Sequence, residues 1–191
     1  MKLYLSVIGV CMFIISAINI AAGTAAWYYV IAAVVWCTVL CFLLDGVMAI
    51  FVNKILPGSL FGADNPHFEV SEREKELYQK LRVRLWKDKV WELGGLGGFS
   101  KKRLAEPDNP EYIERFIVEC NKGVVTHRLS YLIGFLPMLT MFNLCSLTVA
   151  LPVAIVNLFL NVLPTLALRY NTPKLKALLA RLKRKKETRK V

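Results

Sequence analysis

The chain has 191 residues, 55% of them hydrophobic and 20% charged, with a formal net charge of +11. A soluble domain averages about 45–50% apolar and about a quarter charged residues. Here the charges are gathered between long apolar runs, which excludes both an ordinary soluble domain and a disordered basic protein.

No charged residue occurs between Lys2 and Asp45. Leu3–Ala22 supplies about 20 apolar residues, enough to cross roughly 30 Å of hydrocarbon. Only Lys2 precedes this run, and the run is longer than the roughly 7–15 residues of a signal-peptide core, so it reads as a span rather than a cleaved leader. The link Ala22-Gly23-Thr24-Ala25-Ala26 leads to a second run, Trp27–Val52, whose one ionisable group is Asp45. A polar segment follows over 53–128. A second uncharged stretch, Leu129–Leu168, has the length of two spans joined by a tight turn.

The expected fold is an all-α integral membrane protein with about four transmembrane helices. A helical, amphipathic cytoplasmic segment separates the second from the third. The expected divisions are an N-terminal transmembrane hairpin over 1–52, an interfacial segment over 53–128, a second hairpin over 129–168 and a basic tail over 169–191.

Apart from Lys2, every Lys and Arg lies within Lys54–Arg128 or from Arg169 onward. The positive-inside rule then puts both termini and the central segment in the cytoplasm of a multi-pass protein of the cell (inner or plasma) membrane. Trp27, Tyr28 and Tyr29 fall at the outer interface, where amphipathic rings settle. Anionic membrane lipid, not nucleic acid, is the nearer partner for this charge. Cys11, Cys37, Cys41 and Cys145, four of the five cysteines, sit in apolar runs and read as reduced, buried thiols.

Within the polar segment, Ser71-Glu72-Arg73-Glu74 has the form of a capping box. Leu77, Leu81, Leu85 and Trp86 recur downstream at helical spacing among Lys80, Arg82, Arg84, Lys87 and Lys89. The spacing predicts a basic amphipathic helix over Ser71–Trp91, lying on the inner leaflet or packed as a solvated helix. Gly94-Gly95-Leu96-Gly97-Gly98 matches no phosphate-loop pattern. It reads as a hinge into Lys101-Lys102-Arg103, a cluster suited to anionic headgroups or a phosphorylated donor. A turn over Pro107–Pro110 precedes a second helix, with Ile113, Phe116, Ile117, Cys120 and Val124 on one stripe and Glu114 and Glu119 on its flanks.

Three polar features stand out near the inner face. Counted from Lys54, Asp45 lies roughly 13 Å deep, where a carboxylate must be paired, protonated or wet. Counted from Arg169, Asn161 lies about 12 Å deep, with Asn157 one turn away. Interhelical glue accounts for such asparagines as well as a site does. His127, at the entrance to the third span, is the side chain whose reference pKa suits a general base near neutral pH. Glu119 and His127 are about 80° and about 12 Å apart on one ideal helix, so pairing them requires a bend near Gly123. No His-x4-Asp box, GxSxG elbow, HExxH or paired CxxC occurs, and no metal site or bound cofactor is expected.

Three further stretches carry a resemblance. Val83-Arg84-Leu85-Trp86-Lys87-Asp88-Lys89 is similar to a Trp-Lys signature. Ile113-Glu114 through Glu119 to His127 resembles a motif of two glutamates and a histidine. Asn161–Leu175, reading NVLPTLALRYNTPKL, precedes the basic tail. Together, from about Pro57 to the tail, these resemble the glycosyl-4,4'-diaponeurosporenoate acyltransferase family. The first span lies outside the resemblance, and Asp88 and Val124 depart from the family's pattern.

The resemblance implies an integral-membrane O-acyltransferase that esterifies a sugar hydroxyl of a glycosylated, carotenoid-like lipid with a fatty acyl chain. It implies His127 as base, oriented by Glu119 or Glu114. It places Asn161, Arg169, Tyr170 and Asn171 with Trp86 and Lys87 as substrate-binding candidates, to which depth in the membrane adds Asp45 and the basic cluster adds Lys101. The donor it implies is an acyl thioester such as acyl-CoA. Two other readings fit the residues: a non-catalytic membrane scaffold binding anionic lipid or a partner enzyme, and another small lipid-modifying transferase.

Overall fold

The computed structural model describes residues 2–90, 104–141 and 144–188, and among these the chain is helical without strands. The α-helices are α1 (Lys2–Ala21), α2 (Trp27–Ile50), α3 (Glu72–Lys80), α4 (Val83–Trp86), α5 (Pro110–Ile133) and α6 (Leu151–Thr188). The chain forms two compact units, one of residues 1–51 and 126–162, the other of 52–125 and 163–191. Helices α5 and α6 contribute to both.

Among the described residues, three helical stretches are long and apolar enough to cross a membrane: Tyr4–Ala21, Trp27–Ile55 and Ser146–Thr188. The chain is a membrane protein on this ground. The first unit has the matching surface, with Phe13, Ile18, Trp27, Tyr28, Leu43 and Phe159 all pointing outward. Its interior is made of small and branched residues. Ile15, Ala33, Val34, Cys37 and Cys41 pack with Cys145, Val149, Ala150 and Val153, which permits the close helix approach typical of apolar surroundings. All five cysteines are free, and all but Cys11 are buried.

The expected third span is not one continuous helix. Helix α5 ends at Ile133, a 3-10 turn covers Leu136–Thr140, and a π turn over Ser146–Ala150 leads into α6. Gly134 and Pro137 account for the break, since proline offers no donor for a continuing helix. Side chains take up carbonyls that the broken helix frees. The Cys41 thiol donates to Gly134 O (3.6 Å), Thr140 Oγ1 to Pro137 O (2.7 Å) and Ser146 Oγ to Met138 O (3.0 Å). Trp36 Nε1 donates to Thr140 Oγ1 (3.1 Å), and Asn19 Nδ2 to Thr148 O (2.8 Å).

The end of α1 explains the small-residue link. Gly23 has φ +65°, Thr24 N–H reaches Asn19 O (3.1 Å), and Gly23 N–H reaches Ile20 O (3.1 Å). These two bonds are the Schellman closure, which needs a left-handed residue at this place. No atom stands where a Cβ on Gly23 would go, so the penalty for a larger residue is conformational alone. Gly23→Ala is expected to lower stability by about 1 kcal/mol, read as a reduced melting midpoint in detergent.

In the second unit, Ile113, Phe116, Ile117 and Cys120 of α5 pack against Leu175, Leu179 and Leu182 of α6, with Ala63. The predicted stripe is therefore a buried one. Asn109 caps α5 by accepting from Glu111 N–H (3.0 Å) and Tyr112 N–H (3.3 Å), with Pro110 in the first helical position where its missing donor costs nothing. The basic tail continues α6 and pairs with α5, Lys183 with Glu114 and Lys186 with Glu111, each at 3.2 Å.

Ser71 caps α3 as its sequence predicts, its Oγ accepting from Glu74 N–H (3.3 Å). The single helix expected over Ser71–Trp91 is instead two short ones. Arg82 takes a left-handed conformation (φ 49°) that stops α3, and α4 begins at Val83. Trp86 Nε1 then donates to Leu81 O (3.0 Å), supplying a partner that a terminated helix lacks. Leu77, Leu81 and Leu85 are exposed, whereas Tyr78 and Val83 are buried.

Candidate functional site

In the first unit, three helices bring polar side chains together. Asp45 comes from α2, His127 and Ser130 from α5, Asn157 and Asn161 from α6. The His127 ring meets Asn161 through Nδ1 and Oδ1 at 2.8 Å. Asn161 Nδ2 faces Asp45 Oδ2 (3.2 Å), Asn157 O (3.1 Å) and Asn157 Oδ1 (3.2 Å). Both asparagines and Ser130 are buried. Asn157 and Ser130 also face the Asp45 carboxyl.

Gly134 completes this arrangement. A Cβ there would collide with Asn157 Nδ2, so glycine is what lets the carboxamide lie against α5. A lone glycine in an apolar run gave no sign of this role.

The second unit holds a separate polar group. Arg169, buried on α6, meets Glu74 of α3 with both Nε and Nη2, the latter at 2.7 Å from Oε2, and Nη2 also donates to Glu69 O (2.9 Å). Tyr78 donates its hydroxyl to the same carboxylate. The Tyr78 ring stands edge-on to Tyr170 at 6.1 Å, and Lys174 Nζ lies 4.5 Å above the Tyr170 ring. Glu74 carries the sequence signal of a capping residue, and its wider use as the hub of this group had no local signature.

Burial, and then the adjoining Glu74 carboxylate, push the Tyr78 phenol well above the ordinary tyrosine range. The folded state thus holds this proton at pH values where the unfolded chain, with a pKa of about 10, has released it. The contribution is complete below that value and is lost as pH rises beyond it. Melting curves at increasing alkaline pH are expected to fall for the parent chain and to fall less for Tyr78→Phe.

The remaining predicted residues are distributed as follows. Glu119 pairs with Lys122 at 2.8 Å and Glu114 with Lys183, both in the second unit. Helix α5 runs unbroken through Gly123, and the His127 ring meets Asn161. Trp86 serves the α3–α4 corner, and Lys87 pairs with Asp88 at 2.8 Å. Asn171 is half-buried on α6. Lys101, with Lys102, Arg103 and the glycine hinge, lies outside the described residues. Among the described residues, no group of three or more His, Cys, Asp or Glu could hold a metal ion.

What the first cluster offers chemically is a histidine whose Nδ1 is anchored on Asn161, beside buried hydrogen-bonding groups. That is the arrangement for taking a proton from a hydroxyl. No curated protein and no solved structure matches the chain. The model of one family, glycosyl-4,4'-diaponeurosporenoate acyltransferase, matches residues 57–181. Because that match covers most of the sequence, the chain belongs to this family and is an acyltransferase.

Proposed function

We propose that this protein transfers a fatty acyl chain to a sugar hydroxyl of a glycosylated, carotenoid-like lipid at the cytoplasmic leaflet of the cell membrane. The observation that carries the reading is the 2.8 Å contact between His127 Nδ1 and Asn161 Oδ1 in a chain of an acyltransferase family. A sugar hydroxyl is a poor nucleophile until a positioned base removes its proton. His127 Nε2 takes that proton as the hydroxyl oxygen bonds to the acyl carbonyl carbon. The tetrahedral intermediate collapses, the carbon–sulfur bond of an acyl thioester breaks, and the departing thiolate receives the proton from His127. A coenzyme A thioester fits as donor, with Lys87 and Lys101 among the basic residues suited to its phosphates. Tyr170 and Asn171 are further candidates for contacts to substrate.

The leaflet follows from the charge asymmetry, which favours cytoplasmic termini. With α5 entering from the cytoplasmic side, residues 129–141 belong to the outward limb of a four-pass arrangement. Non-helical backbone is tolerated there because protein side chains satisfy it. The exposed Leu77, Leu81 and Leu85 then face the acyl boundary of the inner leaflet. Keeping both lipids in the membrane avoids about 0.8 kcal/mol per CH2 of exposure to water.

The test is mass spectrometry of lipid extracts from cells that make the glycosylated acceptor, with and without this protein. A new species heavier by one acyl group is the expected result. An unchanged acceptor pool overturns the substrate assignment.

A further inference from the structure

The Asn161 amide nitrogen faces three oxygen atoms: one of the Asp45 carboxylate, the Asn157 carbonyl and the Asn157 carboxamide oxygen. Reversing the amide would press its own oxygen against all three. The orientation is therefore fixed, and Oδ1 is the atom that faces His127. That oxygen only accepts. A neutral imidazole carries one hydrogen, and the contact puts it on Nδ1, leaving Nε2 as the basic nitrogen.

Two of the three acceptors belong to the same helix as Asn161, one turn away. Asp45 is the acceptor that comes from another helix, and the one that carries charge when ionised. Asp45 also precedes residue 57, so it lies outside the stretch matched by the family model. Helix α2 thereby supplies part of the site.

We infer that Asp45 is a positioning residue: through the Asn161 carboxamide it selects the His127 tautomer with hydrogen on Nδ1 and a basic Nε2. This rests on the reading of His127 as the base, but its first test does not. His67 and His127 are the two histidines of the chain, so His67→Gln labelled with nitrogen-15 histidine, in lipid nanodiscs, leaves one imidazole to observe. At a pH where the ring is neutral, the nitrogen shifts are expected to show Nδ1 protonated. A ring protonated on Nε2 overturns the inference without any change in the site itself.

Asp45→Leu and Asn161→Leu are expected to move the ring toward the Nε2-protonated form. In the acyl-transfer assay, Asp45→Leu should lower kcat by about five- to tenfold, the worth of one hydrogen bond, with KM little changed. Asp45→Asn, whose carboxamide oxygen still accepts from Asn161, should recover most of that loss. Unchanged nitrogen shifts and unchanged kcat in Asp45→Leu overturn the inference while the base assignment stands. Full activity in His127→Ala, with Nδ1 still protonated in the parent, overturns the base assignment while the tautomer selection stands.

Discussion

Replacing His127 with alanine is expected to lower acyl transfer by about 10²–10⁴-fold, the usual contribution of a positioned general base. The change falls mainly in kcat, because the proton transfer belongs to the transition state and not to substrate binding. Glutamine at this position keeps polarity and approximate volume but no basic nitrogen, so His127→Gln should be impaired to a similar degree. His127 is half-buried and its ring anchors on Asn161, so folding is checked first by comparing melting midpoints. A folded His127→Ala protein that turns over at the parent rate would remove the ring from the mechanism.

The second large effect concerns stability. Arg169→Ala is expected to cost about 3 kcal/mol. The Arg169 side chain is 7% exposed and that of Glu74 23% exposed. Removing the guanidinium leaves the carboxylate beside the Tyr78 hydroxyl with its cation gone. Breaking such a pair costs more than the pair is worth, because the remaining charge is stranded. Replacing both partners, Glu74→Leu with Arg169→Met, should therefore be milder than Arg169→Ala alone. Denaturation in detergent followed by circular dichroism reads the order, and an Arg169→Ala protein as stable as its parent would contradict it.

Asp45, His127, Asn157 and Asn161 were legible individually and only partly as a group. Depth counting put Asp45 and Asn161 at one level, and the two side chains stand 3.2 Å apart. Counting works here because rise along a helix is fixed by backbone geometry. The partner of His127 was not legible in the same way. It lies 34 residues along the chain on another helix, and spacing along one helix directs attention to glutamates on its own flank. Glu114 and Glu119 are drawn instead to nearby lysines.

Trp86 and Arg82 show a different failure. Their apolar and basic spacing is helical, but one left-handed residue divides the segment. A local backbone choice of that kind leaves no mark in periodicity, since arginine is not a residue that advertises a turn. The caps at Ser71 and Asn109 were easier because a side-chain acceptor at a helix start acts locally.

Residues 134–141 have only a short 3-10 turn of their own to carry them into a bilayer. Their carbonyls borrow donors from Cys41, made earlier, and Ser146, made later. Such a stretch is a poor substrate for one-by-one insertion of helices as the chain leaves the ribosome. With one donor made before it and one after, the stretch is expected to close its hydrogen bonds only once both flanking pieces are in place, so its biogenesis depends on tertiary contacts as well as on hydrophobicity.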